Sequence, residues 1–173
     1  MDKIIIGRTA HASFPNEGIK KVPVKIDTGA DTSSIWASDI YIDEEFKLHF
    51  VLFGIGSPHY SGVRHTTKHY SVRLVRSSNG NTQVRYNVKL WVVLEGCKVR
   101  ASFTLADRSK NTYPVLVGCK LLNGKFVVDV AKGSRRADNL KVKSTTLNDE
   151  LQKDPYAFFQ KYHQDNLRGD IEL

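Results

Sequence analysis

The chain has 173 residues, of which 40% are hydrophobic and 25% are charged. This length and composition are enough for one domain with a buried core, and they argue against wholesale disorder. The net charge of +8 fits an ordinary basic surface, but it also suggests an anionic partner, either nucleic acid or an acidic peptide.

The cysteines and the apolar segments indicate the cellular context. Cys97 and Cys119 do not have the number or spacing of a disulfide framework or a zinc knuckle, so reduced thiols are expected. The apolar run Ile4–Ile6 is too short for a signal-peptide core, and no stretch is long enough to span a bilayer. We therefore expect a soluble, cytoplasmic protein with no membrane partner.

Short runs of β-branched and aromatic residues predict a series of strands from the N-terminus onward. The first four are expected at Lys3–Gly7, Lys20–Ile26, Ser34–Ala37 and Phe46–Phe53. The segment His69–Val88 then predicts two strands around a tight turn at residues 78–81, because Asn-Gly readily adopts the positive φ angles of such turns.

Strict alternation of apolar and polar residues follows in the segment Gln83–Leu94 and predicts a half-buried strand. One face is formed by Val84, Tyr86, Val88, Leu90, Val92 and Leu94. A turn at Glu95-Gly96 leads into a second alternating strand, with Val99, Ala101, Phe103 and Leu105 on one face. The two strands are expected to form a hairpin.

The segment Tyr113–Val130 predicts a buried strand, a turn at Gly118, a short helix ending near Leu122 and a last strand. Since strands dominate and no long helices separate them, the expected class is an all-β barrel or sandwich. This β domain is assigned to residues 1–131.

The remaining segment, residues 132–173, has a different character. Its first part is basic and polar and predicts a linker or exposed arm. A short helix follows, with Asp154 as its cap and Pro155 in its first position. Tyr156, Phe159 and Tyr162 recur on one face of this helix and predict that it packs against its own domain or a second subunit.

The motif of greatest chemical interest is Asp27-Thr28-Gly29-Ala30, which follows the strand "VPVKI". An aspartate that opens a tight turn is commonly structural. A carboxylate at a buried strand end, however, is costly unless it is hydrogen-bonded or functional. Downstream, the apolar strand "YPVLV" runs into Gly118 and the short helix.

These two pieces in this order resemble a retropepsin-like aspartic peptidase. More specifically, the chain resembles the bacterial retropepsin-like family that carries the label ATP-dependent zinc protease and is associated with ATP-grasp ligases that attach glutamate to proteins. The matching segments are "IIIGRTA", "VKIDTGADTSSIWA", "VRSSNG", "FTLADRS" and "YPVLVGCKLLNGKFVVDV". The resemblance covers about Ile4 to Val130 and implies a retropepsin-like (acid protease) closed β-barrel with one short helix, followed here by a C-terminal helix. It also implies an ATP-grasp ligase as functional partner.

The resemblance further implies an aspartic endopeptidase, in which two carboxylates about 3 Å apart share one proton. One Asp-Thr-Gly per chain then requires a homodimer, with Asp27 of each subunit at the two-fold axis. By resemblance, Thr28 joins the two loops across the axis and Gly29 lets the substrate backbone approach. Ala30 and Asp31 are assigned to the substrate site, with Asp31 placed where viral retropepsins bind the substrate main chain.

One departure from the family pattern concerns the second motif. Cys119 stands where an arginine commonly follows the glycine, and in viral enzymes that arginine pairs with the aspartate equivalent to Asp31. Lys120 and Arg108 are both candidates for the missing charge partner of Asp31.

A peptidase also needs a flap that excludes water and holds the substrate. The candidate is the hairpin Ser77–Thr82, whose substrate-contacting turn would comprise Ser78, Asn79 and Gly80. The flanking arginines, Arg73, Arg76 and Arg85, would favour acidic, glutamate-rich peptides through charge-assisted hydrogen bonds. The alternative is a plain surface hairpin.

No metal or cofactor is expected. His65 and His69 have the spacing of a helical zinc site, but the glutamate required after the first histidine is replaced by Thr66, and the segment reads as loop or strand. No phosphate-binding glycine loop is present either. Two rival functions remain: a non-catalytic peptide-binding or protein-binding module on the same fold, and an RNA-binding domain. The second is disfavoured because the strands carry no aromatic RNA-binding motif.

Overall fold

The computed structural model describes residues 2–76, 82–133 and 149–162. The strands of the N-terminal unit, Met1–Ser134, are β1 (Ile4–Ile6), β2 (Thr9–Phe14), β3 (Ile19–Ile26), β4 (Ser33–Ile42), β5 (Leu48–Leu52), β6 (Arg64–Thr67), β7 (Tyr70–Arg76), β8 (Thr82–Leu94), β9 (Cys97–Ala106), β10 (Val115–Val117) and β11 (Phe126–Val128). A 3-10 turn spans Pro15–Glu17, and helix α1 spans Cys119–Leu122. Within these described ranges, no helix has the length and apolar character needed to cross a membrane.

Six of the strands close into a barrel in the order β10-β3-β2-β8-β9-β4, and β4 pairs back to β10. Strands β5 and β6 extend the sheet beyond β4, while β7 pairs with β8 alone among the strands that the structure describes. Strands β1 and β11 form a separate two-stranded parallel sheet. The predicted all-β closed barrel with one short helix is therefore confirmed.

The predicted β8–β9 hairpin is confirmed, and it supplies much of the barrel core. The buried face of β8 consists of Val88, Leu90, Val92 and Leu94. Val84, expected on the same buried face, is instead 67% exposed. The reason is that β8 pairs with β9 only from Asn87 onward, whereas its first residues pair with β7 alone. The tip of β8 thus belongs to a two-stranded arm that extends away from the core.

The predicted start of a strand at Phe46 is wrong, because β5 begins at Leu48. Asp43 Oδ1 accepts hydrogen bonds from the backbone N–H of Glu45 at 3.0 Å and of Lys47 at 2.8 Å. This turn leaves Phe46 at a φ of 59° and 77% exposed. The Asp43 carboxylate therefore stabilises a turn in which Phe46 lies outside the strand, although its apolar side chain favoured a strand.

Strand β2 was not predicted from the pattern, the segment of β6 was left open as loop or strand, and β4 was predicted too short. Strands β2 and β6 contain many polar residues and obtain their partners from β3 and β5. Strand β4 continues to Ile42 rather than ending at Ala37, since β5 pairs with its second half. Cross-strand partners decide these elements more than local propensity does.

The C-terminal unit is described over residues 149–162, which include the helix Pro155–Tyr162. Asp154 Oδ1 accepts the backbone N–H of Tyr156 at 3.1 Å and of Ala157 at 3.0 Å. The predicted cap is therefore confirmed. Most of the predicted basic linker lies outside the described residues. The backbone carbonyl oxygen of Lys132, a residue assigned to that linker, accepts the N–H of Arg8 at 2.9 Å. The division at residue 131 stays a prediction.

Candidate active site

Asp27 directly follows β3 and begins a tight turn next to β10. Its backbone N–H donates to Val117 O at 2.9 Å, which holds the end of β3 against β10. Its Oδ1 accepts the N–H of Gly29 at 3.0 Å, and its carbonyl oxygen accepts the N–H of Ala30 at 3.3 Å. Asp27 therefore fills the structural role of a turn aspartate, while its side chain also lines the adjoining cleft.

The second motif closes over the first. Cys119 N–H donates to Ala30 O at 2.7 Å, and Lys120 N–H donates to Asp31 O at 3.0 Å. Gly118 lies so close to the first loop that a Cβ atom there would be 2.6 Å from Ala30 O. Only glycine permits this approach, so the position of the Asp27 loop depends on Gly118.

The side chains of Cys119 and Lys120 both contact the loop that follows Asp27. The Cys119 thiol donates to Thr28 O at 2.9 Å. Lys120 Nζ lies 3.6 Å from Asp31 Oδ2, so Lys120, rather than Arg108, is the charge partner of Asp31. Both side chains are largely exposed, and such a pair stabilises the fold only slightly. Arg108 instead donates from Nε to Tyr113 O at 3.2 Å.

Two of the catalytic candidates, Asp27 and Gly29, line one cleft together with the candidate arginines. A cavity of about 680 Å³ beside Asp27 is also lined by Gly29, Ala30, Arg76, Arg85 and Arg108. An adjoining cavity of about 470 Å³ adds Asp31, Arg73 and Lys120. Thr28 is exposed on the loop. Ser78, Asn79 and Gly80 lie outside the described residues.

Positive charge is concentrated and partly desolvated in this cleft. Burial lowers the pKa of Arg108, the neighbouring charge of Arg85 lowers it further, and the carboxylate of Asp27 acts in the opposite direction. Burial also lowers the pKa of Arg85. Guanidinium groups remain charged in proteins, so the cleft presents a cationic wall to any ligand that approaches Asp27.

The pattern did not predict two further polar residues of the cleft, Asp107 and Asn111. The pKa of Asp107 is lowered, mainly because the Ser109 backbone N–H donates to its Oδ1 at 2.9 Å. Both residues follow β9 in the loop that carries Arg108. The segment "FTLADRS" contains Asp107 and was the available signal for that residue, but only the arginine was selected from it. Asn111 lies beyond this segment.

The two histidines with the spacing of a helical site do not lie on a helix. His65 lies in strand β6 and stacks on Phe50 with ring centroids 5.2 Å apart. Burial lowers the pKa of His65. Among the described residues, no group of three or more His, Cys, Asp or Glu side chains is placed to hold a metal ion.

The structure combines a closed barrel with an Asp27-Thr28-Gly29 loop that packs against the segment beginning at Gly118. This combination defines a retropepsin-like fold. The family model named RimB-like, described as "Retropepsin-like aspartic endopeptidase RimB", matches residues 5–138. The chain therefore belongs to this family of retropepsin-like aspartic endopeptidases. The family resemblance inferred from the sequence motifs is confirmed.

Curated relatives carry a different name. The chain is 31% identical over 134 residues to a "Probable alpha-L-glutamate ligase" of Shewanella pealeana, covering 74% of this chain and 29% of the relative. It is 28% identical over 142 residues to a protein of the same name from Parasynechococcus marenigrum, covering 80% of this chain and 30% of the relative. The chain thus spans less than a third of the length of these relatives.

A crystal structure of a Legionella pneumophila protein of unknown function is similar in fold. It aligns with a TM-score of 0.55 at 20% identity, covering 76% of this chain and 96% of the Legionella chain. At this identity the likeness concerns the fold alone.

Proposed function

We propose that the chain is a homodimeric aspartic endopeptidase whose dyad consists of Asp27 from each subunit. The observation that carries the proposal is the Asp27 loop, which is held by β10 and by the Gly118 motif and opens into a cleft. Two carboxylates at this position share one proton, because both cannot ionise at close range.

The proposed reaction balances within the dyad. The ionised carboxylate takes a proton from water while the oxygen attacks the scissile carbonyl carbon, and the protonated carboxyl gives its proton to the carbonyl oxygen. Collapse of the tetrahedral intermediate then breaks the C–N bond, and the departing amine receives a proton from the dyad. The products are a free carboxylate and a free amine.

Two features support the dimer. Thr28 is exposed on the Asp27 loop and is available to meet a second copy. On the small β1–β11 sheet, Ile5 pairs in register with Val127, and these residues are 56% and 48% exposed. We propose that this exposed apolar pair contributes to the contact with the second subunit.

The substrate we propose is an acidic peptide, such as the glutamate tail of a modified protein. Arg73, Arg76, Arg85 and Arg108 line the two cavities at Asp27. Guanidinium groups bind carboxylates in a bidentate manner. The relatives named as glutamate ligases fit this substrate class and an ATP-grasp ligase as functional partner, and a cytoplasmic location fits two free thiols.

Hydrolysis of a glutamate-tailed protein, followed by mass spectrometry, tests the proposal. Wild type is expected to release glutamate-containing fragments, whereas Asp27→Asn is expected to release none. Sedimentation of the active protein should give a dimer. A non-catalytic peptide-binding module would bind the tail without cleaving it, so equal and negligible release by both proteins would favour that alternative. Hydrolysis that persists in Asp27→Asn would refute the Asp27 dyad.

A further inference from the structure

The peptide group between Val117 and Gly118 adjoins the Asp27 loop and is held by hydrogen bonds at both ends. Its carbonyl oxygen accepts the backbone N–H of Asp27 at 2.9 Å. Its N–H donates to the side-chain oxygen of Ser33 at 3.0 Å. A peptide group is planar and rigid, so the Ser33 hydroxyl and the Asp27 N–H are attached to the two ends of one rigid unit.

Ser33 is a buried residue that is itself held in place. It is the first residue of β4 and is only 1% exposed. Its carbonyl oxygen accepts the hydroxyl of Thr104 at 3.3 Å, and Thr104 is also buried. Ser33 pairs in register with Phe103 of β9. Since close packing and these contacts restrict its movement, the Ser33 hydroxyl offers the Gly118 N–H an acceptor at a fixed position.

The Gly118 N–H depends on this acceptor because Gly118 is buried. A buried N–H that loses its acceptor is costly, and the peptide group is then driven to rotate toward another acceptor or toward water. Glycine permits such a rotation because its backbone has wide conformational freedom. The rotation would also move Val117 O, which holds the N–H of Asp27.

We propose that Ser33 is a positioning residue for Asp27 and acts through the Val117–Gly118 peptide group. This inference rests on the proposed dyad of two Asp27 carboxylates. In a two-fold symmetric dimer, one substitution at Ser33 displaces both carboxylates. Misplacement of a catalytic group by about 1 Å is enough to lower a rate by about a hundredfold.

Ser33→Ala removes the acceptor, and Ser38→Ala is the matched control. Ser38 lies in the same strand and its hydroxyl donates to Phe53 O at 2.7 Å, but it lines neither cavity at Asp27. With a glutamate-rich peptide, Ser33→Ala is expected to lower kcat by about a hundredfold, with KM changed by less than about threefold. Ser38→Ala should retain the wild-type kcat. Ser33→Thr, which keeps the hydroxyl, should recover most of it.

The pH profile of kcat/KM separates positioning from a general loss of stability. Two carboxylates in close contact hold one shared proton over a wide pH range, and this range narrows when they move apart. The bell-shaped profile of Ser33→Ala should therefore be narrower than those of wild type and Ser38→Ala. A profile of unchanged width would contradict the proposal. The other charged residues that line the two cavities are the same in all variants: Asp31, Arg73, Arg76, Arg85, Asp107, Arg108 and Lys120.

Amide hydrogen exchange of the full chain tests the same link without any hydrolysis. In Ser33→Ala, the N–H groups of Gly118 and Asp27 should both exchange at least about tenfold faster than in Ser38→Ala. Faster exchange at Gly118 alone, with Asp27 as slow as in the control, would overturn the proposal. If wild type fails to cleave a glutamate-tailed protein, the proposed function is refuted, and the exchange rates still decide whether Ser33 holds Asp27.

Discussion

Arg73 and Arg85 are direct cross-strand partners in the β7–β8 ladder, and both line the cavity that adjoins the one beside Asp27. Like charges placed directly opposite each other destabilise a sheet. Arg85 is partly satisfied, since its Nη2 donates to Gln83 Oε1 at 2.9 Å. An anionic ligand between the two guanidinium groups would remove the remaining repulsion.

The first prediction follows from this pair. Arg85→Gln should raise the free energy of unfolding by about 0.2–1 kcal/mol, because it relieves the repulsion across the ladder. The same variant should lower kcat/KM for a glutamate-rich peptide by about tenfold, because a charge-assisted contact is lost. Urea denaturation and a cleavage assay at low salt measure the two effects. Lys20→Gln, with the same charge change outside the cleft, is the control. A variant that lost stability and kept its kcat/KM would contradict the role assigned to Arg85.

The second prediction compares two glycines of the two motifs. A Cβ at position 118 would lie 2.6 Å from Ala30 O, whereas a Cβ at position 29 would meet only Asp27 Oδ1 at 3.4 Å. Gly118→Ala is therefore expected to lower the free energy of unfolding by about 1–3 kcal/mol, and Gly29→Ala by less than about 0.5 kcal/mol. Gly29→Ala should still reduce peptide cleavage, since the proposed substrate backbone passes there. Equal stability losses in urea denaturation would contradict the difference in packing.

The third prediction concerns Cys119, whose thiol donates to Thr28 O. Cys119→Ser keeps a donor of similar size and should retain the free energy of unfolding. Cys119→Ala removes the donor and should lower it by about 0.5–1.5 kcal/mol. Thermal denaturation of both variants in reducing buffer makes the comparison. If the serine variant were the less stable of the two, the thiol would contribute through packing instead.

The fourth prediction is a pH dependence at the β4–β5 turn. The pKa of Asp43 is held below its ordinary value of 3.8, first by the hydrogen bond with His49 and then by the Lys47 backbone N–H. A carboxyl whose pKa is lower in the folded state contributes stability above its unfolded pKa. That contribution is lost as the pH falls through the lowered pKa. Asp43→Asn should therefore destabilise the protein at pH 7, and the difference from wild type should shrink below pH 3.8.

Urea denaturation at pH 7 and at pH 3 measures this difference. Asp39→Asn is a suitable control. Asp39 is exposed and forms an ion pair with Arg64 at 3.7 Å, so this substitution removes one paired carboxylate and leaves the Asp43 turn intact. A difference between wild type and Asp43→Asn that stays the same at both pH values would show that the turn depends on shape and not on charge.

The pattern of the sequence correctly predicted the parts of the fold that depend on residues close together in the chain. The alternation in β8 and β9, the turn at Glu95-Gly96 and the cap at Asp154 each depend on residues close in the chain. Strand β6 and the exposed tip of β8 depend on which strand pairs with them, which the pattern does not encode. Phe46 is a different kind of failure. It is apolar and was predicted to begin a strand, but the Asp43 carboxylate places it in a turn.

The candidate site shows the same division. Asp27, Gly29 and Gly118 could be selected from motifs, because close approach and turn geometry restrict the residue type. The charge partner of Asp31 could not be decided between Lys120 and Arg108, since it depends on where the loop after β9 lies.

Mixing wild type with Asp27→Asn tests the central claim of a dyad shared between subunits most directly. When equal amounts exchange subunits freely at a fixed total concentration, random pairing leaves about a quarter of the dimers with two intact Asp27 residues. The account predicts that the rate of peptide hydrolysis falls to about a quarter of the pure wild-type rate. A fall to only about one half, as expected when each subunit works alone, would contradict it.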